Sequence, residues 1–344
     1  MNRSDLFIFP LIATLGIGLV PERAVGSSGG PQDVRAPATE SIGELRDDYV
    51  ARPAQEGAPL NYWHDRLYIA FQSLVERTDQ RFADNGSPAV PTPAAPFRIG
   101  LDTSIVQNSR FRIDPRLDFD VLLELPNIER RLRLFVNNDD VQESPGERGR
   151  RNPLRAGLRF PALRALDFDI GLRADFPDAA FMSLRWQRVY ESSAWNVQPF
   201  AKAYLQTGDG LGFVSGITFD HWRERWLVRS SSYGNWRKNR AATEWTQAFL
   251  VANIREIIRF GSYGPIVRGR DLAGGVGVQL LASGERLAAG DVIELSVFAK
   301  QATRKSWLYW QVTPLIRWQR ENNWRAEPGL YLGAEALFWG LATP

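Results

Sequence analysis

Residues 166–175, LDFDIGLRAD, place an apolar side chain at almost every second position. A period of two puts alternate side chains on opposite faces of a β-strand. The same alternation recurs in residues 116–125, 195–206 and 306–318. A tilted strand needs about 10 residues to cross the hydrocarbon layer of a membrane, and these stretches have that length. The sequence therefore predicts an all-β fold, an antiparallel transmembrane β-barrel.

The length of the alternating stretches separates this fold from a soluble β-sandwich, whose strands usually run about 5–6 residues. Counting from a first strand at 97–106 predicts 14 strands if the Gly-rich residues 272–283 form an outer loop, and 12 strands is the alternative. Short joins near 126–127, 162–163, 192–194 and 222–224 are expected at the periplasmic side. The longer connections 138–152 and 234–242 then fall on the outer side, so residues 97–344 are assigned to the barrel.

The N-terminal residues have the pattern of an export signal. Arg3 precedes the apolar run 6–20, and the small residues 24–26 predict cleavage after Gly26. The run is shorter than the roughly 20 residues of a spanning helix, although an uncleaved anchor is the alternative. Residues 1–26 are therefore assigned to a signal peptide. Residues 27–59, rich in Gly, Pro, Ala and Ser, are assigned to a flexible periplasmic segment.

A helix and a Pro-rich linker are predicted between that segment and the barrel, over residues 60–96. Trp63, Leu67, Phe71 and Leu74 recur at helical spacing, which predicts an amphipathic helix over 61–84 with Asn61 as its N-cap. The apolar face of such a helix needs a partner. Three arrangements remain open: the helix lies in the membrane interface, packs on the periplasmic rim, or plugs the lumen.

Composition excludes several classes of function. The chain has no Cys and two His in 344 residues, so neither a metal site nor a cofactor is expected. The net charge of +3 is not clustered, and no nucleic-acid partner is expected. A lipid hydrolase would need a Ser and a His in contact. His221 is expected opposite about residue 225 on the next strand, several residues from Ser230–Ser232, so the chain is not expected to be an enzyme.

Charged residues at inward strand positions are the candidate functional residues. They are Arg131, Arg133, Arg155, Arg159, Arg173 and Arg185, with Asp118, Asp120, Glu124, Asp167 and Asp169. Such residues either form charge rings that select ions or pair into ladders that narrow the lumen. The sequence predicts a narrow or gated channel for small polar solutes. The alternative is a structural or interaction barrel whose closed lumen leaves its helix or loops to bind a periplasmic or surface partner.

The expected partners are those of a membrane protein. Tryptophans at strand ends are typical of the aromatic girdles that lie at membrane interfaces. They are Trp186, Trp195, Trp310, Trp318 and Trp339. Arg148, Arg150 and Arg151 lie in the long connection 138–152, where they are candidates for binding lipopolysaccharide phosphates. Outer-membrane lipids and lipopolysaccharide are therefore expected at the surface.

The last strand resembles the C-terminal signal of outer-membrane barrels. Tyr331, Gly333 and Phe338 match an aromatic residue, a glycine two positions later, and a final Phe after alternating hydrophobic residues. This resemblance implies recognition by the barrel-assembly machinery, with Phe338 pointing to lipid. The sequence departs from the pattern because residues 339–344 follow the Phe.

A second resemblance covers most of the chain after residue 60. Residues 74–84, 125–134, 208–212 and 304–308 are similar to an uncharacterised proteobacterial outer-membrane family. This resemblance implies a barrel in the outer membrane of a Gram-negative bacterium and implies no activity.

Overall fold

The computed structural model describes most of the barrel region and one helix. The described residues are 32–35, 59–81, 94–107, 111–124, 133–137, 154–163, 165–174, 180–192, 194–208, 210–240, 242–259, 272–285 and 290–341. The predicted signal peptide and its cleavage site, nearly all of segment 27–59, linker residues 82–93 and the arginines at 148–151 lie outside these ranges.

Fourteen long strands follow the helix α1 (Pro59–Gln80). They are β1 (Phe97–Gln107), β2 (Phe111–Glu124), β3 (Arg133–Asn137), β4 (Arg155–Leu163), β5 (Leu166–Arg173), β6 (Ala180–Gln187), β7 (Trp195–Gln206), β8 (Gly210–Arg223), β9 (Trp226–Arg237), β10 (Glu244–Arg259), β11 (Leu272–Gly284), β12 (Val292–Ala302), β13 (Leu308–Gln319) and β14 (Ala326–Phe338). Two short strands lie outside this set. Gln32–Arg35 pairs parallel with the end of β10, and Tyr190–Glu191 pairs with the start of β7.

Every strand pairs antiparallel with its predecessor and its successor along the chain. The last strand, β14, pairs antiparallel with the first, β1, from Gly329↔Val106 to Phe338↔Phe97. This pairing closes the meander into a ring, so no strand among the fourteen keeps a free edge. The predicted antiparallel barrel is confirmed, with the upper of the two strand counts.

The assignment of residues 272–283 to an outer loop was wrong, because they form β11. Val276, Val278 and Leu280 lie at every second position, on one face of this strand. The strand pairs with β10 and β12 along most of its length. The glycines that suggested a loop occupy positions where a neighbour approaches closely. A Cβ on Gly277 would lie 2.6 Å from a ring carbon of Phe298, so the strand needs a residue without a side chain there.

Both ends of the barrel sequence lie at one rim, since β1 begins at Phe97 where β14 ends at Phe338. This rim, here called the terminal rim, carries the two-residue turn Glu224–Arg225 between β8 and β9, with Glu224 at φ 55°. Residues 138–154 join β3 to β4 at the opposite rim, as expected. The connection 260–271 joins β10 to β11 at the terminal rim, so the expectation of only short joins on that side was wrong.

The helix α1 begins two residues before the predicted start and packs against the outer face of the wall at the terminal rim. Tyr68 and Val75 are buried in a cluster with Phe97, Val121 and Phe338. These strand residues share a face with the exposed Leu101, Leu117 and Leu332, which point away from the lumen. The helix therefore lies outside the barrel and against its rim, and the plug arrangement is wrong for it. Within the described ranges, no helix is both long enough and apolar enough to cross a membrane.

Candidate channel lumen

The inner face of the wall is polar because the strands place their polar residues there at every second position. On β7 these are Asn196, Gln198, Lys202 and Gln206, all buried, while the intervening Ala203 and Leu205 are exposed on the outer face. Alternation of this kind brings hydrophilic side chains together from every strand. The lumen is thus a region where charged groups from distant parts of the sequence meet.

The inner face of β3 to β7 is rich in cations. Arg159 donates from Nε to Asp169 Oδ1 at 2.7 Å and from Nη2 to Asp169 Oδ2 at 2.9 Å, a bidentate pair between adjacent strands. The Arg159 guanidinium also lies 5.1 Å from the ring centre of Phe135. Arg155 lies 5.3 Å from the ring centre of Phe181. Rings on this wall therefore hold guanidinium groups in place, and a planar guanidinium is suited to such stacking.

Cations outnumber carboxylates on this part of the wall. Among the described residues of β3 to β7, the inward cations are Arg133, Arg155, Arg159, Arg173, Arg185 and Lys202, and the inward carboxylates are Asp167 and Asp169. Arg173 donates from Nη1 to Gln206 Oε1 at 2.5 Å. We call this face, from β3 to β7, the basic wall.

Strands β1 and β2, where Arg98 and Asp102 face inward and the side chains of Asp118 and Asp120 are not described, belong to neither wall. On β8 to β14 the inward cations are outnumbered by inward carboxylates. Among the described residues of β8 to β14 these are Asp220, Glu244, Glu256, Glu294, Glu327 and Glu335, and the inward cations are Arg229, Arg237, Lys300 and Arg317. We call this face, from β8 to β14, the acidic wall. The two walls give the lumen a transverse separation of charge.

Ion pairs on the acidic wall join neighbouring or next-neighbouring strands. Arg229 pairs with Asp220 through contacts of 2.6 and 2.9 Å, and Arg317 donates to Glu294 at 2.9 and 2.6 Å. Lys300 pairs with Glu335 across the intervening β13. Losing one partner of a buried pair leaves an uncompensated charge and costs about 3–5 kcal/mol. The pairs consequently fix the side chains of the lumen in defined positions.

Inward aromatic rings lie along the wall and cover glycines on adjacent strands. Tyr204 lies over Gly212, where a Cβ would come within 2.2 Å of the ring. Phe200 and Tyr233 flank Gly216 from either side, with 2.6 and 2.7 Å left for a Cβ. A ring placed over the neighbouring strand does not extend toward the centre of the lumen. These glycines therefore keep bulky side chains against the wall.

Two cavities border the lumen. One, of about 440 Å³, opens at the rim opposite the terminal rim and is lined by Tyr233, Asn235, Glu244, Asp291 and Arg320 among others. The second, of about 40 Å³, lies between Arg98, Asp102, Lys300, Gln311 and Glu335. Both are lined by charged groups, which suits them to water and polar solutes rather than to apolar ligands.

The residues predicted to line the lumen lie as follows. Arg155, Arg159, Arg185 and Asp169 are buried, and Arg133, Arg173 and Asp167 are half-buried, all on the inner face. Asp118 and Asp120 are opposite Gly100 and Arg98 in the β1–β2 register, and their side chains, like that of Glu124, are not described. Arg131 lies outside the described residues.

Sequence reasoning missed the ion pairs of the acidic wall, including Asp220–Arg229 and Glu294–Arg317. The alternation rule applied to residues 210–237 and 292–319 would have placed all four side chains inward. What it could not supply was the strand register, which puts Asp220 opposite Arg229 and Glu294 opposite Arg317.

The outer face of the barrel is apolar between two rings of tryptophan. Trp186, Trp195 and Trp226 lie near the terminal rim, and Trp236, Trp245 and Trp318 near the other. Exposed apolar residues between them include Leu184, Leu205, Val251, Val278 and Leu295. Trp226 and Trp236 are ten positions apart on one strand, which gives about 33 Å along the strand. At a tilt of about 40° this spans roughly 25 Å, the height of a membrane-facing band.

A closed barrel with this band can be stable only in a membrane. The chain is an outer-membrane β-barrel. In such barrels the longest connections face the outside, and the longest one here, 138–154, is at the opposite rim, so the terminal rim is the periplasmic rim. The opposite rim, which carries the larger cavity, faces the outside.

Comparison with known proteins gives structural similarity without sequence similarity. No protein-family model matches the sequence, and no curated protein matches it. OprB of Pseudomonas putida aligns at 6% identity over 71% of this chain and 93% of that chain, with a TM-score of 0.41. OccK11 (OpdR) of Pseudomonas aeruginosa aligns at 11% identity over 71% and 95%, with a TM-score of 0.37. OmpT with loop L8 deleted, an outer membrane protein of Vibrio cholerae, aligns at 10% identity over 71% and 98%, with a TM-score of 0.34. The strand pairings of this chain, rather than these similarities, establish its fold.

The environment of Phe338 differs from the expected one. Its side chain is on the outer face, but it is covered by α1 rather than by lipid. The ring stacks on Phe97 at 4.3 Å between centroids and on His64 at 4.6 Å, nearly parallel to both. The expectation that Phe338 contacts lipid was therefore wrong for the folded barrel. Its part in assembly, like those of Tyr331 and Gly333, stays a prediction.

Of the serines considered for hydrolysis, Ser231 is on the inner face, whereas Ser230 and Ser232 share the outer face with His221 and contact Gln247 there. His221 is opposite Val228, three residues from the expected partner near 225, and its ring stacks on Trp195 at 4.3 Å. Ser231 is on the inner face, with its Oγ 3.3 Å from Thr218 Oγ1. His221 and Ser231 therefore do not form a nucleophile and base. The absence of enzyme activity stays a prediction.

Proposed function

We propose that this barrel is a narrow channel for small polar solutes, with one basic and one acidic wall. The observation that carries the proposal is the separation of charge on the inner face. Ion pairs such as Asp220–Arg229 cancel locally, whereas the excess of cations on the basic wall and the excess of carboxylates on the acidic wall produce a field across the lumen. Small solutes with separated charges or strong dipoles are the ones that such a field orients.

The size of the barrel supports a lumen that holds water. Side chains fill a barrel of about 8 strands, and a barrel of fourteen strands is wider. The rings over Gly212 and Gly216 lie against the wall and take little of that width. The buried arginines, by contrast, are long side chains that reduce it. The expected result is a conducting path that is narrow rather than wide.

Single-channel recording of the full chain in planar bilayers tests this proposal. We expect small unitary conductance steps. Arg155→Gln removes one cation from the basic wall and should shift the reversal potential in a KCl gradient toward cation permeation. The matched control is Arg188→Gln, because Arg188 is exposed at the terminal rim outside the inner face. The control should leave the reversal potential unchanged.

Other outcomes contradict the proposal in distinguishable ways. A folded barrel without conductance would favour the alternative, a closed structural or interaction barrel, for which the burial of inward charges is the supporting observation. A large and ungated conductance would exclude the narrow lumen. Equal shifts in Arg155→Gln and Arg188→Gln would show that the basic wall does not set selectivity.

A further inference from the structure

The helix α1 has three distinct faces, and the one that meets the barrel is mostly polar. Asn61, His64, Gln72 and Asp79 are buried there together with Tyr68. Four polar contacts hold this face to the barrel sequence. Two of them join Gln72 to the backbone of Ala95, donating from Nε2 to the carbonyl at 2.6 Å and accepting from the amide at 2.9 Å.

The other two contacts reach Leu337 near the end of β14 and Trp307 in the turn before β13. His64 Nε2 donates to the carbonyl of Leu337 at 3.0 Å, and Trp307 Nε1 donates to Asn61 Oδ1 at 3.3 Å. The helix is thus fixed beside the junction of β14 and β1 in one orientation. Because polar side chains occupy much of the docked face, several apolar side chains of α1 lie elsewhere on its surface.

The apolar residues of α1 form an exposed stripe. Leu60, Trp63, Leu67 and Leu74 are each more than half exposed. At about 100° per residue they fall within an arc of roughly 60°. Tyr62, Arg66 and Gln80 are also exposed, and they lie on a different arc beyond the stripe. The surface of α1 that faces away from the barrel therefore has an apolar half and a polar half.

The height of α1 on the wall indicates what the apolar half meets. The strand residues under it are Phe97, Phe338 and their neighbours Ile99, Val121 and Val136, all within a few residues of the terminal rim. On the same strands and the same face, the exposed Leu101 and Leu117 continue the apolar band toward the membrane centre. The helix therefore lies beside a part of the wall that contacts lipid.

We propose that α1 lies in the periplasmic leaflet, with Leu60, Trp63, Leu67 and Leu74 against phospholipid acyl chains. Its polar half faces the periplasm, and its docked face replaces lipid over the junction of β14 and β1. An interfacial helix normally keeps its polar residues in water. Here one set of polar residues is turned to the protein instead, which fixes the helix at one depth. This proposal is independent of whether the lumen conducts.

The Cys-free sequence allows the proposal to be tested on the full chain by site-directed spin labelling. Leu67→Cys places a label on the stripe, and Arg66→Cys is the matched control, one residue away and about 100° around the helix. Val278→Cys on the bare wall and Glu224→Cys in the terminal-rim turn give the lipid and water references. Each labelled barrel is reconstituted in phospholipid vesicles, and collision with oxygen and with a water-soluble nickel chelate is measured.

We expect the oxygen-to-nickel accessibility ratio at residue 67 to approach that of Val278→Cys and to exceed that at residue 66 several-fold. Equal nickel accessibility at residues 66 and 67 would show that the stripe faces water and would overturn the proposal. Dipolar broadening at residue 67 that disappears on dilution with unlabelled protein would show that a second copy covers the stripe, which would also overturn it. If a label at residue 67 disturbs assembly, Leu74→Cys repeats the measurement about two turns further along the helix.

Discussion

Two parts of the outer wall share one sequence pattern and have opposite environments. Leu205 and Phe249, on β7 and β10, are each 47% exposed on the bare wall. Val121 and Phe338, on β2 and β14, are 2% and 3% exposed beneath α1. All four occupy the outward phase of the same two-residue alternation. The difference shows that alternation assigns a side chain to a face, whereas only the packing of other elements decides what that face contacts.

The two environments should respond differently to the loss of the same side chain. A side chain under α1 is packed by protein on all sides, and its removal leaves a cavity. A side chain on the bare wall is surrounded by lipid, which moves into the space that a smaller residue leaves. The predictions below measure this difference, beginning with the largest effect.

Phe338→Ala should destabilise the barrel strongly, because it removes a ring stacked between Phe97 and His64. Phe→Ala in a packed interior costs about 3–5 kcal/mol. Phe249→Ala, the same change on the bare wall, should cost a small fraction of that. Reversible denaturant unfolding of both variants in phospholipid vesicles gives the two free energies. Similar losses in both would mean that α1 does not cover Phe338 in the membrane.

Gln72→Ala should loosen α1 without unfolding the barrel. The change leaves the buried amide and carbonyl of Ala95 without the Gln72 side chain as a partner, at a cost of about 1–3 kcal/mol for each unsatisfied group. Amide hydrogen exchange in residues 59–81 should accelerate, while exchange in β7 to β10 should not change. The matched control is Thr78→Ala, since the Thr78 hydroxyl donates to the carbonyl of Leu74 within the helix itself. Unchanged exchange in Gln72→Ala would contradict the assigned docking face.

Deletion of residues 59–95 should have the smallest measured effect of the three changes, because the unitary conductance should stay the same. The helix lies on the outside of the wall, so its removal should lower the stability of the barrel without changing the unitary conductance. Recording the deletion variant beside the full chain in planar bilayers checks this. A rise in conductance would show that the deleted residues obstruct the lumen.

The location of the candidate site could be predicted better than its contacts. Alternation in residues 164–175 places Asp167, Asp169 and Arg173 on the inner face, and the structure has them there. The partner of Asp169 is Arg159, ten residues earlier, because the hairpin of β4 and β5 sets them opposite each other. Register depends on turn geometry and on the fit of neighbouring strands. The alternation along one strand therefore does not reveal a shift of a few residues. The same uncertainty explains why the residue opposite His221 is Val228 and not residue 225.

Composition gave a wrong prediction where one residue type is common in two kinds of structure. Glycine marks loops in most sequences, and residues 272–283 were assigned to one for that reason. In this barrel Gly277 makes room for Phe298 on the adjacent strand, which only a three-dimensional neighbour can reveal.

The sequence by itself determined the strand period, the polar inner face and the apolar band, because each follows from a two-residue repeat along a single strand. It also determined that a helix precedes the barrel, since the 3.6-residue period is equally local. Only the tertiary structure decided where that helix lies and which way it turns. Its polar residues find partners in Ala95, Leu337 and Trp307, and its leucines remain outside. The helical pattern shows that the helix has an apolar and a polar surface. Whether protein, lipid or water covers each surface depends on residues far away in the chain.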